Sequence, residues 1–186
     1  MSDTVYTLIE AVDGCRSAEG AHFLAQLRDG HRSLGTLIEG LTPADLSWQH
    51  APGFNTIGML LAHIVISEVH LIQVGVEGAK DSRLAETLGL GPDDDGMPMA
   101  ADGKPPATLA GKDLAYYRSL LDRALAVSEE AVRPLEDADF DRRITRPRPQ
   151  GGARILNVRW TLHHILEHLA LHRGQIGLVK HLRARA

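Results

Sequence analysis

The chain has 186 residues, of which 44% are hydrophobic, and a formal net charge of −4 from 20 Lys and Arg against 24 Asp and Glu. This length suits a single domain over residues 1–186 that buries its own core without metal or disulfide support. The acidic balance gives no electrostatic support for nucleic acid or an anionic membrane as a partner, so we expect a small-molecule substrate or a second copy of the chain.

Cysteine usage and the N-terminal sequence predict a cytoplasmic protein. Cys15 is the only cysteine, so the chain cannot form an intramolecular disulfide. The N-terminus also lacks the paired basic and apolar regions of a signal peptide. The most hydrophobic window, residues 57–76, contains two histidines, a glutamate and a glutamine. These side chains are costly in lipid, so the window indicates a buried helix and not a membrane span.

The first third of the chain predicts two long helices. Apolar residues recur with helical spacing over residues 18–41. Thr42, followed by proline, is typical of the cap of a short helical turn. After a loop, Asn55 or Thr56 can cap a second long helix that runs to about residue 77.

The segment 79–107 reads as a long loop with one short helix at about 83–88. Its sequence "GPDDDGMPMAADGKPP" is too rich in proline, glycine and acidic residues to build a packed core. Loops of this length are uncommon inside compact domains. We therefore expect the loop either to be mobile or to lie over a site or a partner subunit.

Two more long helices follow, one predicted over residues 108–135 and one that begins after the cap Asn157 and ends near Arg183. The connection between them predicts a short hairpin, with Ile144 and Ile155 as apolar anchors. Its arginines could attract an anionic group or be solvated loop charges: Arg142, Arg143, Arg146, Arg148 and Arg154. Four long helices without a convincing run of strands indicate an all-α four-helix bundle.

Half of the ten histidines lie on the predicted fourth helix. His164, His168 and His172 follow one another at four-residue intervals, so neighbours can bind one ion. On a helical wheel His168 and His172 lie towards the buried face, whereas His164 lies further out. A third ligand should come from a facing helix, and His63 lies in the middle of the core-facing stripe of the second helix. Buried histidines that bind a backbone carbonyl or water remain the alternative.

Gln175 lies on the same side of the wheel as the histidine pair, one turn from His172. Its amide could orient a metal ligand or an imidazole, or it could make a capping or interhelical hydrogen bond. Gly174 and Gly177, three residues apart, predict a close approach of another helix. The zincin motif H-E-x-x-H is absent, because Leu169 follows His168.

Two stretches, "NTIGMLLAHIVISEVHLI" and "VRWTLHHILEHLALHRGQIGLVKHL", resemble the DinB/YfiT-like superfamily of metal-dependent helical bundles. The resemblance covers the chain and implies a four-helix bundle in an up-down-down-up arrangement, with a long crossover loop and commonly a homodimer. It also implies a divalent metal, nickel or zinc, bound by His63, His168 and His172. His164 is then a residue near the metal ligands or on the helix surface.

Three neutral imidazoles leave a divalent ion with at least one open position, as in catalytic sites. Relatives in that family include S-transferases and isomerases that use a low-molecular-weight thiol, whose pKa the metal lowers, so the resemblance implies such an enzyme or a hydrolase. The thiol would come from a cofactor, because Cys15 is far from the histidines in sequence. A non-catalytic, stress-associated metal-binding bundle and a metal-free helical dimer remain alternatives.

Overall fold

The structure is a computed structural model that describes residues 8–148 and 150–186. Residues 1–7, on which the expectation of no signal peptide partly depends, lie outside the described residues. The described chain is mostly helical and adds one small sheet. Its elements are α1 (Ala18–Leu37), α2 (Pro43–Ser47), α3 (Ile57–His70), α4 (Leu84–Leu88), α5 (Leu114–Val132), β1 (Arg143–Pro147), β2 (Ala153–Asn157) and α6 (Val158–Arg183).

Side-chain caps begin the helices where the sequence predicts them. Thr42 caps α2 in a capping box with Asp45, and the Thr56 hydroxyl accepts a hydrogen bond from the backbone N–H of Met59 at the start of α3. The Asn157 side chain does the same for Trp160 at the start of α6. Each cap satisfies a backbone donor that has no partner inside the helix, which defines where the helix begins.

Two predicted helix boundaries were wrong. The first helix ends at Leu37 and not near residue 41. The helix predicted from residue 108 begins only at Leu114, after a 3₁₀ turn at Ala107–Leu109. The reason for the late start is Gly111, whose φ of 68° interrupts the helical path. Asp113 then provides the cap by accepting a hydrogen bond from the backbone N–H of Tyr116.

The apolar window of the second helix is an interior element. After His70 the α-helix continues as a π-helical segment, Leu71–Val76. The stretch Ile57–Val76 is long and apolar enough to cross a membrane by length and composition, but 78% of its most apolar window is buried inside the protein. The prediction of a buried helix is therefore confirmed.

The four longest helices pack around a common apolar core, in which α1 and α3 each contact both α5 and α6. Two glycines bring α6 especially close to its neighbours. A Cβ atom at Gly30 of α1 would lie 2.6 Å from Leu169 Cδ2, and one at Gly75, after α3, would lie 2.6 Å from Thr161 Cγ2. These approaches hold α6 against both α1 and the end of the second helix.

The predicted hairpin is present, with Arg143 opposite Asn157 and Pro147 opposite Ala153. Ile144 packs against the core as expected, but the proposed anchor Ile155 is wrong, because its side chain is 64% exposed. The register pairs Ile144 with Leu156. Since neighbouring residues in a strand point to opposite faces, Ile155 must face away from the core.

Two of the hairpin arginines attach it to the helices. Arg142 donates a hydrogen bond to the carbonyl of Val76 at 2.6 Å, and Arg146 donates to the carbonyls of Val74 and Ala79. These bonds satisfy carbonyl groups where the second helix ends. Arg143 and Arg154 lie elsewhere and line a surface cavity together with Trp160.

Candidate metal centre

Three imidazole rings from two helices converge on one point. His168 Nε2 lies 3.0 Å from His63 Nε2 and 3.0 Å from His172 Nε2. The three could hold a metal ion, because one nitrogen from each ring lies within 4.8 Å of the others. The structure thus brings together the three residues that the sequence predicts as ligands, one from α3 and two from successive turns of α6.

The packing of α6 explains why its pair faces inward. Ile165, Leu169 and Ile176 are buried in the core, and the four-residue spacing keeps His168 and His172 beside that apolar face. His172 is only 6% exposed, whereas His168 is half-buried. Because α3 packs against α6, the half-buried His63 reaches the same point from the facing helix.

Hydrogen bonds at the far side of two rings determine which nitrogen carries the proton. His63 Nδ1 lies 2.8 Å from Asp95 Oδ2. His172 Nδ1 lies 2.8 Å from Gln175 Oε1. A carboxylate or an amide oxygen can only accept a hydrogen bond, so both Nδ1 atoms carry the proton when the rings are neutral. The Nε2 atoms of His63 and His172 then present lone pairs to the centre.

Hydrogen bonding among the three rings cannot satisfy these lone pairs. In its neutral form His168 has at most one proton on Nε2, which can be donated to His63 or to His172 but not to both. At least one pair of nitrogen atoms therefore faces each other at 3.0 Å without a proton between them. A cation at this point would satisfy all three nitrogen atoms at once.

The surroundings favour the neutral rings that metals bind. Burial, followed by the charges of His172, His63 and His164, lowers the pKa of His168 to about 3. Burial also lowers the pKa of His172, and this effect outweighs the hydrogen bond that the ring donates to Gln175, which raises the pKa. A neutral imidazole is the form that ligates a metal. Because these pKa values are low, protons compete little with a metal ion for His168 and His172 at neutral pH.

The three imidazole nitrogen atoms fit a transition metal of intermediate softness, between the metals that prefer oxygen and those that prefer sulfur. Ligands about 2.05 Å from a tetrahedral zinc ion lie roughly 3.3 Å apart, close to the 3.0 Å separations between these nitrogen atoms. Imidazole nitrogen suits zinc, nickel, copper and iron, whereas calcium and magnesium prefer oxygen. The residues present therefore fit a nickel or zinc ion better than an alkaline-earth ion.

A cavity of about 360 Å³ adjoins His63 and His168. Its walls are largely apolar, with Ser67, His70 and His164 as further polar groups. The long loop after the second helix contributes four lining residues: Leu84, Pro92, Asp95 and Met97. Of the two expectations for this loop, the structure therefore favours the one in which it lies over a site.

His164 is not one of the three converging rings. It stacks on Trp160, with the ring centroids 4.8 Å apart and an angle of 17° between the planes, and its centroid lies 6.1 Å from that of His168. It lines the cavity beside the candidate metal centre. This agrees with the wheel, which puts His164 further from the buried face than the other two.

The structure agrees with the predicted role of Gln175 but not with that of the two glycines of α6. Gln175 does orient an imidazole, because its amide oxygen accepts the hydrogen bond from His172 Nδ1. The packing role expected of Gly174 and Gly177 is wrong within the described chain, since a Cβ atom at either position would meet nothing within 4 Å. Gly174 is exposed on the side of α6 away from the core.

Sequence reasoning missed Asp95, whose side chain accepts the hydrogen bond from His63. The run "DDDG" at 93–96 marks acidic residues in a loop, but a loop has no periodicity that would show which carboxylate points inward. The buried cluster of His31, Glu68 and Ser128 was also missed. Its three residues come from α1, α3 and α5, and only the packing of these helices brings them together.

Comparisons with known proteins address the fold and the family. A sequence model described as the DinB superfamily matches residues 26–176. The chain belongs to the DinB superfamily. Among solved structures, this DinB-superfamily protein is similar to one titled "Crystal structure of the conserved protein of locus from Enterococcus faecalis", with a TM-score of 0.61 and 13% sequence identity over 86% of this chain and 94% of that chain.

At 13% identity the solved structure supports the fold alone. None of the curated proteins matches the chain. The assignment of a metal and of a reaction to this DinB-superfamily protein therefore depends on the chemistry of its own residues.

Proposed function

We propose that this protein binds a divalent metal ion, nickel or zinc, through the Nε2 atoms of His63, His168 and His172, and that it is a metal-dependent enzyme. One observation carries the proposal: three imidazoles converge, and His168 Nε2 lies 3.0 Å from the Nε2 atoms of both His63 and His172. Hydrogen bonds among them leave at least one lone pair without a donor, and a buried acceptor without a partner is costly.

The cavity beside the centre supports an enzyme over a purely structural metal site. Three protein ligands leave a position for a further ligand, and a volume of about 360 Å³ opens next to His63 and His168. A divalent ion there would supply a Lewis acid that lowers the pKa of a coordinated thiol or water. The apolar walls suit a small-molecule substrate whose body is uncharged.

The reaction class that we propose is S-transfer or isomerisation with a low-molecular-weight thiol as cofactor. The chain's own thiol is not placed for this role, because Cys15 is not among the residues that line the cavity. To test this, the metal-loaded protein is incubated with a panel of small thiols and electrophiles. We expect turnover that stops after chelation. Metal binding without turnover of any pair would favour the alternative, a non-catalytic stress-associated metal-binding protein.

We further propose the architecture and assembly that the superfamily resemblance implies. The four longest helices form a four-helix bundle of the DinB/YfiT-like type, with the segment between α3 and α5 as its long crossover, in one cytoplasmic domain. The protein forms a homodimer. The exposed side chains of Leu171 and Leu178, which share one outer face of α6, support this assembly.

Metal analysis of protein prepared without an affinity tag tests the proposal. We expect stoichiometric nickel or zinc in the parent and a large loss of metal in His63→Ala and His172→Ala. The control is His163→Ala, which removes an exposed histidine of the same helix that lies near Glu167 instead. Only traces of metal in the parent, unchanged in the two variants, would contradict metal binding.

A further inference from the structure

One carboxylate of the long loop is buried against the back of the metal centre. Asp95 is 2% exposed. One of its oxygens, Oδ1, accepts a hydrogen bond from the backbone N–H of Met97 at 2.9 Å. The other, Oδ2, lies 2.8 Å from Nδ1 of His63. Asp95 also lines the cavity beside the centre, so it lies between the loop, the ligand and the space for a substrate.

A buried carboxylate is costly unless hydrogen bonds and a positive charge compensate it. Among the described residues, the only ion-pair partner of Asp95 is the imidazole of His63. No lysine or arginine of the described chain forms an ion pair with the Asp95 carboxylate. A cation bound to Nε2 of His63 would compensate the negative charge of Asp95 through the imidazole ring.

The same contact determines how His63 can bind a metal. The carboxylate holds the proton on Nδ1 and leaves Nε2 free as a donor atom to the ion. It also fixes the plane of the ring and makes the ligating nitrogen more basic. His172 donates the corresponding hydrogen bond to the amide oxygen of the neutral Gln175 of its own helix. Asp95 differs because it is charged and because it comes from a loop 32 residues further along the chain.

We propose that Asp95 is a positioning residue for the metal centre. Through this carboxylate, the loop between α3 and α5 helps to bind the ion, because it orients the His63 ring and keeps its Nε2 atom free and more basic. This inference rests on the proposed metal-binding function. It gives the loop a role beyond covering the cavity: displacement of the loop removes the acceptor from His63, so metal affinity and loop position are coupled. The competing explanation is that the contact only anchors the loop.

Asp95→Asn separates the two explanations, because asparagine keeps the size of the side chain and can still form hydrogen bonds. An anchor of the loop tolerates this change. A positioning carboxylate does not, because the amide lacks the charge and can turn its NH₂ group to Nδ1, which moves the imidazole proton to Nε2 and blocks the ligand atom. Asp93→Asn is the matched control, since it removes the same charge from an exposed site in the same loop.

The experiment is a competition titration of the full-length protein with zinc against a chromophoric chelator. Because loss of such a hydrogen-bond partner typically weakens metal binding by about 10–100-fold, we expect a loss of this size in Asp95→Asn and parental affinity in Asp93→Asn. Equal affinity in the parent and Asp95→Asn would overturn the positioning role and leave the proposed metal site intact. A parent without saturable zinc binding would overturn both.

A second measurement on the metal-free parent does not depend on how the variants fold. Nitrogen-15 NMR of the labelled histidines reports which ring nitrogen carries the proton. We expect His63 to carry it on Nδ1 in the metal-free parent, because the Asp95 carboxylate beside that nitrogen can only accept a hydrogen bond. A parent in which His63 carries its proton on Nε2 would overturn the proposal.

Discussion

His31, Glu68 and Ser128 form a buried polar cluster between α1, α3 and α5. His31 Nε2 lies 2.8 Å from Glu68 Oε2, and the Ser128 hydroxyl donates to Glu68 Oε1 at 2.7 Å. Both oxygens of the glutamate therefore have partners, one on α1 and one on α5. Buried polar groups satisfied in this way specify how helices pack against one another. We infer that the cluster fixes the position of α3, the helix that carries His63, relative to α1 and α5.

The cluster predicts a pH-dependent stability. Burial opposes the charged form of His31, but the charge and hydrogen bond of Glu68, together with the charge of Asp122, outweigh it and raise the pKa of His31. A pKa raised in the folded state means that the folded protein binds the proton more tightly than the unfolded chain. The stabilisation is thus complete below the unfolded-state pKa of about 6.5 and is lost as the pH rises through the folded-state pKa.

Urea unfolding of the parent and His31→Gln in the presence of a chelator measures this effect. Because removal of one partner leaves a buried charge uncompensated, we expect His31→Gln to cost about 3 kcal/mol at pH 5.5 and clearly less as the pH rises above the folded-state pKa of His31. His22→Gln, an exposed position on the same helix, should change little. A cost of His31→Gln that is the same at every pH would contradict the role of the ion pair.

At the scale of elements, the packing of α6 on α1 affects the site, because α6 carries two of the three converging histidines. The two helices approach each other closely where Leu169 packs against Gly30. Leu169 directly follows His168 in the sequence. A side chain larger than hydrogen at position 30 would have to move Leu169, and with it the turn that carries His168 and His172, the candidate metal ligands of α6.

Two alanine substitutions on α1 test this packing. Gly30→Ala places a methyl group 2.6 Å from Leu169 Cδ2, and we expect a loss of about 1–3 kcal/mol of unfolding free energy from overpacking. Gly35→Ala meets nothing within 4 Å, so we expect a gain of about 0.4–1 kcal/mol from helix propensity alone. Chemical unfolding measures both. Equal effects of the two substitutions would show that the glycine contact does not constrain the packing.

At the scale of the whole molecule, the outer face of α6 carries two exposed leucines. Leu171 and Leu178 are 60% and 58% exposed. Gly174 lies between them on the same face, and a Cβ atom there would meet nothing within 4 Å. Exposed apolar side chains around a glycine suit the close approach of another helix, and this face supports the proposed homodimer.

Light scattering coupled to size exclusion tests the dimer. We expect the parent to elute with the mass of two chains, and the double variant Leu171→Glu, Leu178→Glu to elute as a monomer with unchanged helicity, because charges would be buried without partners. Ile155→Glu is the control, since Ile155 is similarly exposed but belongs to the hairpin. A monomeric parent, or a double variant that remains dimeric, would contradict an interface on α6.

The sequence predicts best what helical periodicity determines. The convergence of His63, His168 and His172 follows from which faces of two helices are apolar, and Thr42, Thr56 and Asn157 act as the expected caps. The role of Asp95 could not be predicted, because it depends on the path of a loop. The same holds for Ile155, whose exposure follows from a strand register that the sequence does not specify.

Anomalous diffraction from crystals of tag-free protein grown with zinc tests the central claim most directly. We predict one strong anomalous peak at the zinc edge, about 2.0–2.1 Å from the Nε2 atoms of His63, His168 and His172. The Nδ1 atoms of His63 and His172 should still donate hydrogen bonds to Asp95 and Gln175. The absence of a peak at this point would contradict the account. So would a zinc ion bound only elsewhere, such as between His163 and Glu167.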